Sequence, residues 1–481
     1  MPSSLKPLIP LVLITGALLT PPGALATSEG ARAPMTDMPT LDDVLAARDR
    51  GDVQTLERAF ERLEIALKEG EITSRRYIRP WLAFSTGNPD HRRMLDDWSE
   101  TFPRSPHPHA AKGRTAYYVA RIFRGEATTA RTPRGAMKHA RSEFAKAAAH
   151  FADAMARRPD HFAAAKGVHN VAPHGHRKSL RYAAERVLQQ YMDKLDLMRS
   201  TVWTKMPQWG GSAEGTVGYC TEAAAESDGA FTGDECLAVA LTHGRTGKSR
   251  AEGYKRLTTA GEDRFLPEIA DGFVFKRETE KIKELLERTG FIFWPREMLE
   301  LPILPDQLRR HLTFWAKIDD GNPFIAQVGG RLAAVEGDVD RAADLFEHSF
   351  EVNPFREEIH QDRLKLFLIM RRYEKVLPAM EVTAKVMDGQ AEGFIPTMMP
   401  VLDNLDFFST GANGEEHENY ACRLVALIET AEEWCTDTGG YPTYCSVATT
   451  RPVDDMTDQL RRNRAIWRDG SAQVRAACEA Q

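Results

Sequence analysis

Apolar residues recur along this chain at spacings of three and four. Val53, Leu56, Phe60, Leu63 and Leu67 line one face of a helix in this way, and Gly70 then ends the run. Similar amphipathic segments span about 90–101, 110–124, 134–156, 179–198 and 276–288, separated by Pro and Gly clusters. Alternation of period two, the mark of a half-buried strand, is scarce, so the pattern predicts an all-α fold. Helix-start chemistry agrees. Thr40 precedes Asp43 by three residues and Thr232 precedes Glu235 by three, both resembling capping boxes. Pro133 sits where a first-turn proline is tolerated. Two stretches interrupt the periodicity: 291–305 with Pro295, Pro302 and Pro305, and 394–414 with Pro396, Pro400 and Gly411. Each is expected to be an irregular connector.

One pattern occurs more than once. From Gly337 to Pro354 the chain reads G-D-V-D-R-A-A-D-L-F-E-H-S-F-E-V-N-P, and Ser142 to Pro159 reads S-E-F-A-K-A-A-A-H-F-A-D-A-M-A-R-R-P. Both resemble the second half of a tetratricopeptide repeat, a helical hairpin of about 34 residues. Small residues such as Gly330, Ala342 and Ala147 let paired helices approach, Phe346 and Phe151 fill the space between hairpins, and Pro354 and Pro159 end the second helix. Counting in such units gives repeats at 323–356 and 357–390, where Tyr373, Val376 and Met380 hold packing positions and Leu364 replaces the expected small residue; a single unit lies near 128–161.

The resemblance implies antiparallel hairpins stacked as a short α-solenoid. It divides the chain into an N-terminal helical domain at 41–260, connector helices at 261–322, two repeats at 323–390 and a cysteine-containing helical region at 391–481. It also implies that the first helix of each hairpin faces a partner groove, presenting Phe324, Gln327, Arg331, Glu358, Gln361 and Lys365. That set lacks the basic and amide arrangement that clamps a C-terminal carboxylate.

The N-terminal half carries a second likeness. Trp203 is followed by Pro207-Gln208-Trp209-Gly210-Gly211-Ser212, and upstream stand Trp98, Pro103, Ser105, Tyr117, Tyr118 and Arg124-Gly125. Over about 41–225 this is similar to an uncharacterised bacterial helical family with a Trp-Gly-Gly-Ser block, a family without an assigned activity. Read physically, the two glycines let the backbone pass close to the Trp203 and Trp209 rings, and Ser212 caps a helix starting at Ala213. The functional alternative is a ligand pocket walled by those two tryptophans.

Composition narrows the class. A chain of 481 residues, 42% of them hydrophobic, can bury a substantial core, and a formal charge of -6 gives no hint of nucleic acid, which would require a basic face. Lys6, an apolar run from Leu8 to Leu19 and Ala24-Leu25-Ala26 fit a secretory signal peptide over residues 1–26. The run falls short of the roughly 20 apolar residues of a membrane span, and Pro10 and Gly16 interrupt it. A periplasmic or secreted location follows, in which the six cysteines can pair. Cys220 with Cys236 and Cys435 with Cys445 would close short loops, leaving Cys422 with Cys478 by elimination.

Signals for catalysis are weak. Gly244-Arg245-Thr246-Gly247-Lys248-Ser249 is too short for a phosphate-binding loop, whose first glycine would fall at Thr242. Ser212 lacks the glycine at Glu214 that a nucleophile elbow needs. His161, His169, His174 and His176, with His107 and His109 upstream, form the densest histidine cluster, and His174 and His176 are weak metal candidates without helical ligand spacing. Glu415–Glu418 and Asp454-Asp455 fit helix starts. The sequence therefore predicts a scaffold without catalytic activity or cofactor, binding a protein or peptide in the cell envelope. The alternative is an extracytoplasmic hydrolase, or a small-molecule or metal-binding protein, with its site between the two helical halves.

Overall fold

The structure is a computed structural model describing residues 38–125, 132–175, 180–207, 211–244, 247–260, 263–276, 278–289, 297–299, 305–404, 420–437, 444–449 and 457–480. The expected signal peptide, most of the 291–305 connector, Trp209, His176 and the acidic groups at 415–418 and 454–455 lie outside the described residues. Pro39–Gln481 form one compact unit.

Every regular element among the described residues is helical. The first group is α1 (Leu41–Asp49), α2 (Val53–Lys68), α3 (Ser74–Ile78), α4 (Pro89–Thr101), α5 (His107–Arg124), α6 (Arg134–Arg157), α7 (Phe162–Val171), α8 (Arg181–Tyr191) and α9 (Lys194–Val202), with a 3-10 turn at Pro80–Phe84. Next come α10 (Ala213–Ala225), α11 (Gly233–Thr242), α12 (Gly247–Ala260), α13 (Leu266–Lys276) and α14 (Thr279–Thr289). The last group is α15 (Pro305–Ala316), α16 (Pro323–Val335), α17 (Val339–Val352), α18 (Glu357–Ile369), α19 (Tyr373–Met387), α20 (Ala391–Leu402), α21 (Tyr420–Asp437), α22 (Cys445–Ala448) and α23 (Asp458–Glu479). None of the described helices is long and apolar enough to cross a membrane.

Local chemistry sets the helix ends. Thr40 and Asp43 exchange side-chain and backbone bonds of 2.9 and 3.3 Å, and Thr232 and Glu235 do the same at 2.7 and 3.2 Å, so both capping boxes form. Ser212 accepts from the Gly215 N–H at 2.9 Å and starts α10. Pro133 is the N-cap of α6, one position before the first turn. The 179–198 segment is two helices instead of one, because Asp193 takes the Asp196 N–H at 2.7 Å and opens a new helix.

Packing follows the hairpin logic. On α2, Leu56, Phe60 and Leu63 are fully buried, and Phe60 meets Trp81, Phe84 and Trp98 with ring centroids 4.2, 5.6 and 5.9 Å apart. The 323–356 and 357–390 segments form consecutive hairpins, α16–α17 and α18–α19. A Cβ on Gly330 would stand 2.5 Å from the Phe346 ring, so glycine is what lets that ring seat. Phe151 of α6 repeats the device twice, against Gly113 of α5 at 2.6 Å and Gly167 of α7 at 2.3 Å. Residues 142–157 thus lie in the second helix of a hairpin, which ends before Pro159 as the pattern implies. That helix begins at Arg134 and its partner is α5, so this hairpin is longer than the repeat frame.

One expected connector is a helix. Pro396 and Pro400 lie inside α20, although an internal proline costs about 3 kcal/mol. Phe394, Ile395, Met398 and Val401 are fully buried there, each worth about 1.5–3 kcal/mol, which outweighs the two prolines. Asn404 Nδ2 donates to the Pro400 carbonyl at 2.7 Å and supplies a donor near the helix end.

The later hairpins pack on the earlier ones. Arg48 of α1 is buried and donates to the Ala83 and Ile318 carbonyls at 2.6 and 2.7 Å. Asn322 bonds the Tyr118 hydroxyl, Asn353 Nδ2 donates to the Ile122 carbonyl at 2.9 Å, and the Phe355 ring lies where a Cβ on Gly135 would fall. All three cysteine pairs stand at disulfide distance: Cys220–Cys236, Cys422–Cys478 and Cys435–Cys445.

Candidate functional site

Internal contacts occupy much of the expected groove. Phe324 is buried with the Arg356 guanidinium 3.9 Å above its ring, and Gln327 is fully buried and donates to Asp362. Arg331 pairs with Asp362 at 2.8 Å and reaches the Leu299 carbonyl at 3.0 Å. Gln361 donates to Glu357 at 2.9 Å, while Lys365 is exposed and Glu358 is partly exposed. Trp203 packs with Met198, Val202 and Phe231 in a local core. Gly211 allows a close backbone approach to the Lys205 carbonyl: a Cβ there would fall 1.8 Å from that oxygen. His174 stacks on Phe144 with centroids 3.9 Å apart.

The structure brings His107 and His161 together in the N-terminal core. Their facing nitrogens, His107 Nδ1 and His161 Nε2, are 3.1 Å apart, and both side chains are fully buried. The protons can be placed by valence. His161 Nδ1 accepts from the Ala164 N–H at 3.1 Å, so the neutral ring must carry its proton on Nε2. Nε2–H then donates to His107 Nδ1, which leaves His107 with a proton on Nε2 to give to Glu61 at 3.0 Å. Glu61 also accepts from Arg158, and the His107 bond leads the causes that hold its carboxyl down at about 2. Burial pushes His161 well below its ordinary value and raises Glu64, whose carboxylate takes the Tyr77 hydroxyl at 3.0 Å. This relay closes within the protein and fixes where α2, α5 and α7 meet.

Next to it lies a small, partly open pocket with a free volume of about 20 Å³, room for about one water. On α5 the lining residues Ala110, Arg114 and Tyr117 follow at four and three, and on α7 Ala163, Lys166, Gly167 and Asn170 follow at three, one and three, so each helix turns one face inward. Ile78, Trp81 and Phe151 complete the wall. The Phe151 ring seats only because Gly113 and Gly167 lack side chains, so the glycines shape the pocket as well as the stack.

Electrostatics single this pocket out. Arg114 and Lys166 keep some accessible surface yet are surrounded deeply enough that burial lowers Arg114 to about 10 and Lys166 to about 8. Among the described residues, neither has a carboxylate in hydrogen-bond contact. Arg114 Nε donates to the Ser85 hydroxyl at 3.1 Å, and the groups that favour its charge are Tyr117 and Tyr118. Lys166 Nζ donates to the Ser200 hydroxyl at 2.5 Å. The carboxylate whose field reaches Lys166, Asp196, is already bonded by Arg75 and Arg199. Two cations are therefore held in a half-enclosed, largely apolar pocket without a counter-ion. Sequence reading did not select either residue.

No protein-family model matches the chain, and no curated protein matches it. Twenty-eight solved chains match in structure. One is described as "Structure of Naa15/Naa10 bound to HypK-THB", with 12% identity and a TM-score of 0.25 over 90% of this chain and 69% of that one. Superposition at that level assigns neither partner nor activity.

Proposed function

We propose that the chain is an exported helical-hairpin scaffold, without catalytic activity, that binds a protein or peptide partner in the cell envelope by an acidic group seated between Arg114 and Lys166. The carrying observation is the uncompensated pair of cations facing one pocket. A charge held away from water is costly unless paired, so a chain that lines one pocket with two of them and no carboxylate leaves the counter-charge to be supplied from outside. The Asn170 amide adds a neutral hydrogen-bonding group, and Trp81, Tyr117 and Phe151 form an apolar wall beside the cations. The three cysteine pairs fit an oxidising compartment and support the exported location.

The test is fluorescence polarisation with a short labelled peptide that ends in an apolar residue with a free carboxylate, against the same peptide amidated. The expected result is salt-sensitive binding of the free acid, lost in Arg114→Gln and Lys166→Met. Binding only of small free carboxylic acids would move the assignment to a small-molecule carrier. Equal binding of both peptides, or binding unchanged in the two variants, would overturn the site.

A further inference from the structure

Among the described residues, three groupings of His, Asp and Glu bring potential metal ligands within 4.8 Å of one another: Glu64 with His107 and His161, Glu57 with Glu61 and His107, and His109 with His150 and Asp153. Proton bookkeeping removes the first two. In the relay, His161 Nε2 and His107 Nε2 both carry hydrogens, and His107 Nδ1 is already an acceptor. A metal could take these nitrogens only by breaking the cap of α7 or the bond to Glu61. Glu57 is further committed to the Trp98 indole N–H at 2.8 Å.

The third grouping carries no such commitment. His109 stands in the first turn of α5. His150 and Asp153 are three residues apart on α6, hence on one face, and α5 and α6 form a hairpin. His109 Nδ1 is buried with no hydrogen-bond partner, an uncommon condition for a buried imidazole nitrogen. The nearby cations are occupied elsewhere. Arg157 donates to the Pro103 and Asp153 carbonyls at 3.1 and 3.0 Å, and Lys112 to Ser99 and Asp96, both at 2.7 Å. Asp153 is exposed and leaves a path for an ion and room for water.

We propose that His109, His150 and Asp153 form a site for a divalent cation of the zinc class, bridging α5 and α6. Two imidazoles and one carboxylate suit a borderline ion, and three protein ligands leave a coordination position for water. Bound there, the ion ties together the two helices that carry Arg114 and Phe151.

The experiment uses the full chain without a polyhistidine tag, stripped with chelator and titrated with zinc chloride by calorimetry. The expected result is one zinc per chain, with affinity reduced at least about tenfold in His150→Gln and in Asp153→Asn. Because the variants could perturb packing, thermal unfolding is followed in parallel. Zinc in excess should raise the Tm of the parent chain by more than that of His150→Gln. No zinc uptake would overturn the site. So would uptake that survives His150→Gln, or that disappears only when His107 or His161 is replaced.

Discussion

Replacing Lys166 by Met should stabilise the folded chain at neutral pH. The methionine keeps most of the aliphatic stem against Trp81 and Phe151 and removes the charge. A fall in the Lys166 value from 10.5 to about 8 corresponds to roughly 3 kcal/mol against the folded state. Residual access of water through the pocket mouth reduces this, and the lost bond to Ser200 Oγ, 2.5 Å long, offsets about 1 kcal/mol more. The net expectation is a gain of about 1–2 kcal/mol at pH 7. The sign has a pH signature. A lysine depressed by folding binds its proton more weakly in the native state, so its penalty is complete below about 8 and disappears as pH rises from there towards 10.5. Thermal denaturation of parent and variant, run in parallel at pH 7 and pH 10.5, should show the variant ahead at the lower pH and the gap closing at the higher. A less stable Lys166→Met at pH 7, or a gap that does not narrow, would refute the claim that this cation is uncompensated. A compensated Lys166 would leave the pocket no need of an external anion.

Gly167→Ala should destabilise by about 1–3 kcal/mol, since its Cβ would meet the Phe151 ring at 2.3 Å; a Tm unchanged from the parent would count against that packing. Replacing Cys422 and Cys478 together by Ser opens a loop with a sequence separation of 56 and should cost about 2–5 kcal/mol, and a thiol titration of the denatured, unreduced parent should find no free thiol. His169 and His360, both buried and held down to about 4, stay neutral in the fold while the unfolded chain takes up protons from about 6.5 downward. Stability should therefore fall as pH drops from about 6.5 to about 4, and a Tm independent of pH across that window would contradict the burial of these rings.

Helix positions were legible because they depend on short-range pattern: the three-and-four spacing of α2 and the capping boxes at Thr40 and Thr232 could be read within a few residues, and the Phe346 and Gly330 pair within one repeat. The exceptions have identifiable causes. Pro396 and Pro400 mark an expected break, and only long-range burial of Phe394, Ile395, Met398 and Val401 overrides them. Asp193 splits a continuous amphipathic run because one carboxylate competes for a backbone N–H.

The pocket escaped for a different reason: a basic residue on a helix reads as a solvated face until the neighbouring helix is placed. A local trace did exist. Lys112-Gly113-Arg114 and Lys166-Gly167 each set a cation beside a glycine among alanines, and those glycines are where the Phe151 ring enters. The glycine marks the buried side of its helix, and of the two cations beside Gly113 it is Arg114 that lines the pocket while Lys112 reaches Ser99 and Asp96. Arg114 and Lys166 are one residue from such glycines on two helices that share one phenylalanine, so both point towards the same interior space, and the absence of Asp or Glu among the lining residues leaves their charge unanswered. The inference from pocket to anion therefore rests on the hairpin packing itself, and a change that unseats Phe151 should abolish acid binding even with both cations intact.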